Sequence, residues 1–409
     1  MKIFKFMTLA LVAMLGFNSC SKDCDHDFIE VDYSKDLVGT WTCQEANYTA
    51  AFVFNADGTA FTTGVENGEY WENVQVNWKV VNNQLTLNYG DNTSETLLEI
   101  ISGEYLSISD KNGDRRKIYK YCANDLADDI VGMWVSHNGA TDEENDAAIM
   151  TFSDNGKLTF TGYSPMESDF VVKSEGDYKV VGDIMFITTQ VDGVAMKNAS
   201  RIVVTPNASA YGDIMVNYVY RMGESVPTPT SFLRVKQSLD LEDQKYDYIK
   251  TYVSNVKGED KDIPFLNTSF NFAKMDGSII DKFLKSILFT VEFPNENTIN
   301  YNFLLEGQNM PMSAPIEVEG NKMTIKMSEN DPIFHDVVVY TFQDKDNSQM
   351  HMYMPTSSFE KFFANTSVSV MLGYGQIDKN DEDAIAGVYQ SVADAVHSIN
   401  LSLVMSKSK

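Results

Sequence analysis

The side chains that could carry out chemistry in this 409-residue sequence are five histidines, scattered carboxylates and four cysteines. No two histidines have the HxxxH or HExxH spacing that places two metal ligands on one helix face. The sequence also has no GxSxG elbow, which would expose a nucleophilic serine, and no glycine-rich phosphate loop. We therefore predict a protein that is not an enzyme, with no catalytic residue, no metal and no cofactor.

Acidic residues concentrate in two segments, TDEEND at 141–146 and DKNDED at 378–383. Solvated loops are the ordinary explanation of such segments, and a weak divalent-cation site is the alternative. The pairs Asp57-Gly58 and Asn155-Gly156 lack the twelve-residue spacing and terminal glutamate of a calcium-binding loop. We interpret these two pairs as turns between strands.

The first twenty residues, MKIFKFMTLALVAMLGFNSC, are typical of an export signal, because two lysines precede an apolar run too short to span a bilayer. The position of Cys20 after Gly-Phe-Asn-Ser resembles the relaxed lipobox of Bacteroidota lipoproteins, in which this cysteine is acylated. We predict a signal peptide over 1–19 and a lipidated acidic tether over 20–35. The aspartates after Cys20 resemble a tag for export to the outer face of the outer membrane, although a solvated tether explains them equally.

The composition is that of a folded acidic protein. With 43% hydrophobic and 12% aromatic residues, the chain can bury more than one core, and its length suggests two or three domains. The formal net charge of −26 argues against nucleic acid and anionic membrane surfaces as partners, since like charges repel. We expect contact with a membrane only through the lipid anchor.

One pattern of about a hundred residues occurs twice. The segment LVGTW at 37–41 returns as IVGMW at 130–134. Two further blocks match in the same order, FVFNADGTAFTTG (52–64) with MTFSDNGKLTFTG (150–162), and NWKVVNNQLTLNY (77–89) with DYKVVGDIMFITT (177–189). Three ordered matches indicate a tandem repeat.

Each block predicts a β-hairpin, because apolar residues such as Val76, Trp78 and Val80 alternate with polar ones. Asp57-Gly58 and Asn155-Gly156 are expected to supply both positive-φ residues of a two-residue turn. Short strands joined by polar turns, without crossover helices, predict an antiparallel sheet. About eight such strands hide their edges best by closing into an up-and-down barrel.

A GxW motif on the first strand of such a meander resembles the lipocalin and calycin superfamily. Its tandem arrangement behind a lipobox resembles lipocalin-like and calycin-like surface lipoproteins of Bacteroidota. The resemblance implies an all-β fold of small tandem barrels in which the tryptophan closes one end under a basic residue from the last strand. Trp41 and Trp134 match the tryptophan, and Arg234 is the basic residue implied for the second unit. Four residues qualify in the first unit: Arg115, Arg116, Lys117 and Lys120. Ligand contact is the alternative role for the tryptophans.

The C-terminal third indicates a diverged third barrel with added helices. VEGNKMTIKM, at 318–327, is similar to the second hairpin of both repeats. Helices are predicted from Ser278, from Ser357 as a short helix, and over 381–396, the last one followed by an alternating strand at 399–405. The resulting domains are 36–124, 125–237 and 238–409.

Methionines mark the third unit as a candidate binding site. Met350, Met352 and Met354 are spaced by two and share one strand face, and Met323 and Met327 lie on another strand of the unit. Flexible thioethers suit a cavity for varied apolar ligands, whereas ordinary core packing would explain the same pattern. The helix at 278–288 is either a lid or a plug.

A disulfide between Cys43 and Cys122 is a further expectation, because these cysteines lie on the first and last strands of the first unit. Those strands become neighbours only if the barrel closes. Two free thiols, or a bond involving Cys24, are the alternatives.

Two functions remain open. One is a surface-anchored lipoprotein that binds a small apolar or amphipathic molecule inside a barrel. The other is a non-catalytic interaction or scaffold lipoprotein that binds a glycan or protein partner through loops and its outer surface. The alternation of a hollow barrel and of a packed one is the same, so the strand pattern does not separate these functions.

Overall fold

The computed structural model describes residues 33–408 except 101–102, 111, 137–147, 165, 192–193, 209–212, 221–223, 266–267, 275–276 and 306–307. The predicted signal peptide, Cys20, Cys24 and the acidic segment 141–146 lie outside the described residues.

Three closed antiparallel barrels of eight strands each make up the fold, so the predicted all-β class is confirmed. Barrel 1 consists of β1 Gly39–Glu45, β2 Tyr48–Phe54, β3 Thr59–Glu66, β4 Glu69–Val81, β5 Gln84–Tyr89, β6 Asn92–Ile100, β7 Tyr105–Ser109 and β8 Lys117–Cys122. Barrel 2 consists of β9 Gly132–Ser136, β10 Ala148–Phe152, β11 Lys157–Ser164, β12 Asp169–Val181, β13 Ile184–Val191, β14 Val194–Thr205, β15 Ile214–Val219 and β16 Thr228–Val235. In both barrels the last strand pairs with the first.

Barrel 3 has the same meander with two insertions. Its strands are β17 Gln244–Gly258, β20 Leu288–Asn295, β21 Thr298–Leu305, β22 Gln308–Glu319, β23 Lys322–Ile325, β24 Val337–Gln343, β25 Gln349–Met354 and β26 Val396–Lys407. A separate hairpin, β18 Asp262–Phe265 and β19 Thr268–Asn271, follows β17. The helices are α1 Gly277–Ile287, α2 Met327–Asn330, α3 Thr356–Gly373 and α4 Glu382–Ala395, with a 3₁₀ turn at Phe272–Lys274.

The three helices were predicted at the correct positions, but one of them is longer than predicted. The helix predicted from Ser278 is α1, and the one predicted over 381–396 is α4. The helix predicted from Ser357 is α3, which runs for 18 residues rather than being short. Its apolar side packs against the barrel and the inserted hairpin, through Phe359 and Phe363, and this burial extends the helix.

The internal repeat corresponds to equivalent strands of the three barrels. The second matching block forms β4 and β5 in barrel 1 and β12 and β13 in barrel 2, which are the fourth and fifth strands of each. The segment at 318–327 contains the hairpin of β22 and β23, again the fourth and fifth strands of its barrel. The similarity among these segments therefore reflects a common position in the barrel.

The turn type predicted for Asp57-Gly58 and Asn155-Gly156 was wrong. Only the glycines have positive φ, 84° at Gly58 and 78° at Gly156, and each connection spans four residues. The Asp57 carboxylate accepts a hydrogen bond from the Thr59 amide at 2.9 Å, which stabilises the longer turn. Two-residue turns with two positive φ values occur instead at Asn67-Gly68 and Asn82-Asn83.

The barrels pack against one another through their outer faces. Ala51 of barrel 1 joins Ile184 and Phe186 of barrel 2 in one apolar cluster. Barrels 2 and 3 share an aromatic cluster that includes Tyr163, Phe170, Tyr340, Phe342 and Tyr353. Asp169 of barrel 2 accepts hydrogen bonds there from Tyr340 at 2.8 Å and from Lys322 at 2.6 Å. Both junctions are thus apolar contacts bordered by polar bonds.

Within the part of the chain that the structure describes, no helix is long and apolar enough to cross a lipid bilayer.

Candidate functional site

Both predicted tryptophans are buried in the cores of their barrels. Trp134 is fully buried, and its indole N–H donates to the Ile130 carbonyl at 2.7 Å. The Arg234 guanidinium lies 4.6 Å from the centre of the indole ring, on the strand position directly opposite. This geometry is that of a cation–π contact at a packed barrel end.

Barrel 1 uses a different cover. Trp41 is buried and donates to the Leu37 carbonyl at 2.8 Å, but the residue opposite it on β8 is Tyr121. The two rings meet edge to face with centroids 5.2 Å apart. None of the four basic residues predicted as covers occupies this position, because the strand register places Tyr121 there.

Barrel 3 has a related closure that the GxW motif did not reveal. Leu241 and Tyr246 are buried at the start of its first strand, and the Tyr246 hydroxyl accepts a hydrogen bond from Gln343 at 2.9 Å. A tyrosine therefore occupies the end of barrel 3 where the other barrels have a tryptophan. A buried Leu followed five residues later by an aromatic residue was too general a signal to find it.

The predicted disulfide is not formed, and Cys43 and Cys122 are free thiols. Barrel closure does make their strands neighbours, as expected. However, Cys43 belongs to the interior core with Trp41, whereas Cys122 pairs with Thr40, one residue away from Trp41 and thus on the outer face. The barrel wall separates the two sulfur atoms. Burial raises the pKa of Cys43 to about 12, so its thiol is inert at neutral pH.

The methionines of barrel 3 belong to its apolar core. Met323, Met350, Met352 and Met354 are all buried in the core cluster of barrel 3, and Met327 is partly buried against it. Apolar side chains from the barrel, α1, α3 and α4 occupy the same cluster. This arrangement is core packing, the alternative that the strand pattern allowed.

The structure instead shows a groove outside barrel 3, between α3, α4 and the segment 332–335. Its volume is about 560 Å³. The apolar part of its lining includes Ile333, Ala364, Ile385, Ala386 and Ala393. Because three of these are alanines, the two helices leave space that larger side chains would fill.

Helix α4 forms one wall of the groove for local reasons. The Asp381 carboxylate accepts a hydrogen bond from the Ala384 amide at 3.0 Å and caps the helix, while Glu382 and Asp383 favour its positive end. Ile385 and Val392 turn one side of α4 toward the core. The acidic segment 378–383 is therefore a turn and helix cap, and the described residues contain no group of three or more metal-binding side chains.

The segment 332–335 is held to both helices by Asn365 and Tyr389. The Asn365 side chain donates to the His335 carbonyl at 2.8 Å and accepts from the His335 amide at 3.0 Å. The Tyr389 hydroxyl donates to the Ile333 carbonyl at 3.1 Å, and its ring stacks on the His335 imidazole with centroids 4.0 Å apart. The groove is consequently preformed.

Charged and titratable side chains border the groove, and burial shifts the pKa values of two of them. Glu360, Lys361 and Glu382 border it, and burial raises the pKa of the half-buried Glu360 carboxyl above its usual value. Burial, together with the charge of Lys361, lowers the pKa of His335, so this imidazole is neutral at pH 7. Perturbed groups of this kind around a concave apolar surface mark a candidate binding site.

The groove escaped the sequence interpretation because its residues come from three separate segments. A usable signal existed only in α4, where the exposed Ala386 and Ala393 lie beside the buried face of the helix. Small residues on an exposed helix face do not by themselves indicate which element packs beside them.

The fold therefore defines a tandem of three eight-stranded antiparallel barrels, with a helical groove on the third.

Two solved structures resemble the chain, each with 10% identity, a TM-score of 0.21, and coverage of 89% of this chain and 66% of the other. One is isotype 1 transferrin binding protein B from serogroup B Neisseria meningitidis. The other is a tryptophan-to-alanine mutant of the vaccine antigen transferrin binding protein B from Haemophilus parasuis Hp5. The chain thus spans 66% of the length of these structures. No protein family matches the sequence. No curated protein matches it either.

Proposed function

We propose that the protein is a non-catalytic, surface-anchored lipoprotein of the outer membrane that binds a small amphipathic molecule in the groove between α3 and α4. The observation that carries this proposal is the position of the cavity. The methionines predicted to line a cavity pack in the apolar core of barrel 3, whereas about 560 Å³ of space is open outside the barrel. This volume lies within the usual range for small-molecule sites, roughly 300–1,000 Å³.

The barrels then have a structural role in this proposal. Their interiors contain side chains of both small and large residues, including the fully buried Trp41, Trp134 and Tyr246. Helices α3 and α4 interrupt the meander between its last two strands, so barrel 3 supports the groove as a rigid base.

Filling the groove tests the site. Ala393 is exposed on α4 and lines the groove, so Ala393→Leu adds bulk there without entering the core. We expect the native protein to enhance the fluorescence of the neutral apolar probe N-phenyl-1-naphthylamine, and Ala393→Leu to weaken this binding about tenfold, or 1.4 kcal/mol. Equilibrium fluorescence titration measures the affinity.

Met352→Leu is the matched control, because it changes the interior of barrel 3 at nearly constant volume. Its affinity for the probe should equal that of the native protein. If Met352→Leu weakened binding while Ala393→Leu did not, the ligand would lie inside the barrel. Lack of any fluorescence enhancement by the native protein would also contradict the proposal.

Anchoring is tested separately at the N-terminus. In a bacterium that lipidates exported proteins, we expect Cys20→Ser to abolish incorporation of an alkyne-tagged fatty acid and to move the protein from the membrane to the soluble fraction, because two acyl chains supply the anchor. Cys24→Ser, four residues away, should retain both the label and the membrane fraction. An unchanged label in Cys20→Ser would refute the lipidation site.

A further inference from the structure

We propose that the groove selects organic cations, namely an amine or a similar cationic group carried on an apolar body, and that Glu360 supplies the opposing charge. This inference rests on the proposed function and adds the chemical class of the ligand. It starts from the groove's shape and from the one carboxylate of its wall that the fold leaves both half-buried and without a bonded partner.

The apolar part of the ligand follows from the lining. Residues 382, 386, 389 and 393 of α4 all border the groove and recur along one helical face. The eleven steps from residue 382 to residue 393 extend about 16 Å along the helix, which gives the length of this wall. Ala364, Ala386 and Ala393 leave the floor shallow and apolar, suited to an alkyl chain or a flat ring.

The charge preference follows from Glu360. Its side chain is only partly exposed, and among the described residues none donates a hydrogen bond to it or lies within ion-pair distance. A carboxylate in such a place lacks part of its hydration, and the nearby charge of Lys361 offsets this loss without a hydrogen bond. A cation in the groove would therefore gain a charge-assisted hydrogen bond. The cationic group of the ligand would then be the bonded partner of the Glu360 carboxylate.

Two neighbouring carboxylates already have bonded partners within the protein. Asp331 pairs with Lys379 at 2.6 Å. Asp336 accepts hydrogen bonds from the amide and hydroxyl of Ser328, at 3.1 and 2.7 Å. Glu360 differs from them because it borders the cavity and makes no such bond.

Among the remaining charged groups around the groove, Lys361 alone opposes a cation. His335 is neutral at pH 7, as argued above, and presents its imidazole edge as an additional polar group. Lys361 is exposed to solvent, whereas Glu360 is half-buried, so the carboxylate acts through the lower local dielectric. Glu382 adds a second negative charge at the rim. The chain's net charge of −26 also attracts cations at long range.

Three molecules with the same eight-carbon chain test this assignment: octylamine, octanol and octanoate, titrated calorimetrically at pH 7 into the full chain. We expect octylamine to bind at least about tenfold more tightly than either of the others. Glu360→Gln, which keeps the shape of the side chain and removes its charge, should lower octylamine affinity about tenfold and leave octanol affinity unchanged. Lys361→Gln, at the adjacent position, should raise octylamine affinity.

Each result distinguishes the ligand class from the site. Octanol or octanoate binding as tightly as octylamine, or octylamine binding unaltered by Glu360→Gln, would overturn the charge assignment. If Ala393→Leu still weakened binding of the eight-carbon molecules in that case, the groove would remain the binding site and only the ligand class would be wrong. If none of the three molecules responded to Ala393→Leu, the proposed site and the inference would fail together.

Discussion

Trp134→Ala is expected to lower the free energy of unfolding of barrel 2 by about 3–5 kcal/mol, the cost of replacing a fully buried aromatic side chain with alanine. The indole fills the end of the barrel against Ile130, Met150 and Phe152. Removing it leaves a cavity, exposes the Ile130 carbonyl and deprives Arg234 of the ring beneath it. Hydrogen exchange of β9 to β16, combined with thermal unfolding, localises the loss to barrel 2.

Trp134→Phe separates packing from polar contacts in this prediction. It keeps an aromatic ring under the Arg234 guanidinium but loses the N–H bond to Ile130, so we expect a smaller loss of about 1–3 kcal/mol. Probe binding to the groove should be unchanged in both variants when they are folded. Loss of binding with an unchanged melting temperature would instead make Trp134 a ligand contact, the other role considered for it.

Gly258→Ala should destabilise the helical part of barrel 3 by up to about 3 kcal/mol, because this position has no room for a methyl group. Gly258 ends β17 opposite Val396, where the inserted hairpin and the end of α4 meet the barrel. A Cβ atom there would lie 2.4 Å from Cβ of Phe272 and 2.6 Å from the backbone oxygen of Ala395. The Phe272 Cβ can move only with the 3₁₀ turn that carries it, and the Ala395 oxygen can move only with the end of α4.

Gly387→Ala is the matched control for Gly258→Ala, since the same substitution is expected to have the opposite sign. Gly387 lies within α4, is exposed, and has no neighbouring atom within 4 Å of an added Cβ. Alanine is favoured over glycine inside a helix by about 1 kcal/mol, so the melting temperature should rise. Chemical denaturation compares both variants with the native chain. A rise in stability for Gly258→Ala would show that the junction is looser than described.

These two positions connect stability with the proposed site. Gly258 fixes where α4 ends on the barrel, and α4 is one wall of the groove. A displacement of α4 by Gly258→Ala should therefore also weaken probe binding, whereas Trp134→Ala in the neighbouring barrel should not. The contrast distinguishes a general loss of stability from a change in the groove.

The barrel architecture was predictable because it depends on local patterns. Alternation with a period of two specifies which residues of a strand face the core, and polar turns separate one strand from the next. The segment 318–327 is similar to the repeated hairpins, and this similarity correctly indicated the equivalent strands of barrel 3. The capped pattern from Asp381 located α4 in the same way.

Register and packing between distant segments required the tertiary structure. The pairing of Thr40 with Cys122 decides that the two cysteines lie on opposite sides of the barrel wall, and the pairing of Trp41 with Tyr121 decides which residue covers the indole. The groove depends on how α3, α4 and the segment 332–335 meet over barrel 3. Side-chain periodicity indicates which face of an element is buried, because the pattern is set by residues close together in the sequence. It does not indicate which other element, tens of residues away, covers that face or leaves it open.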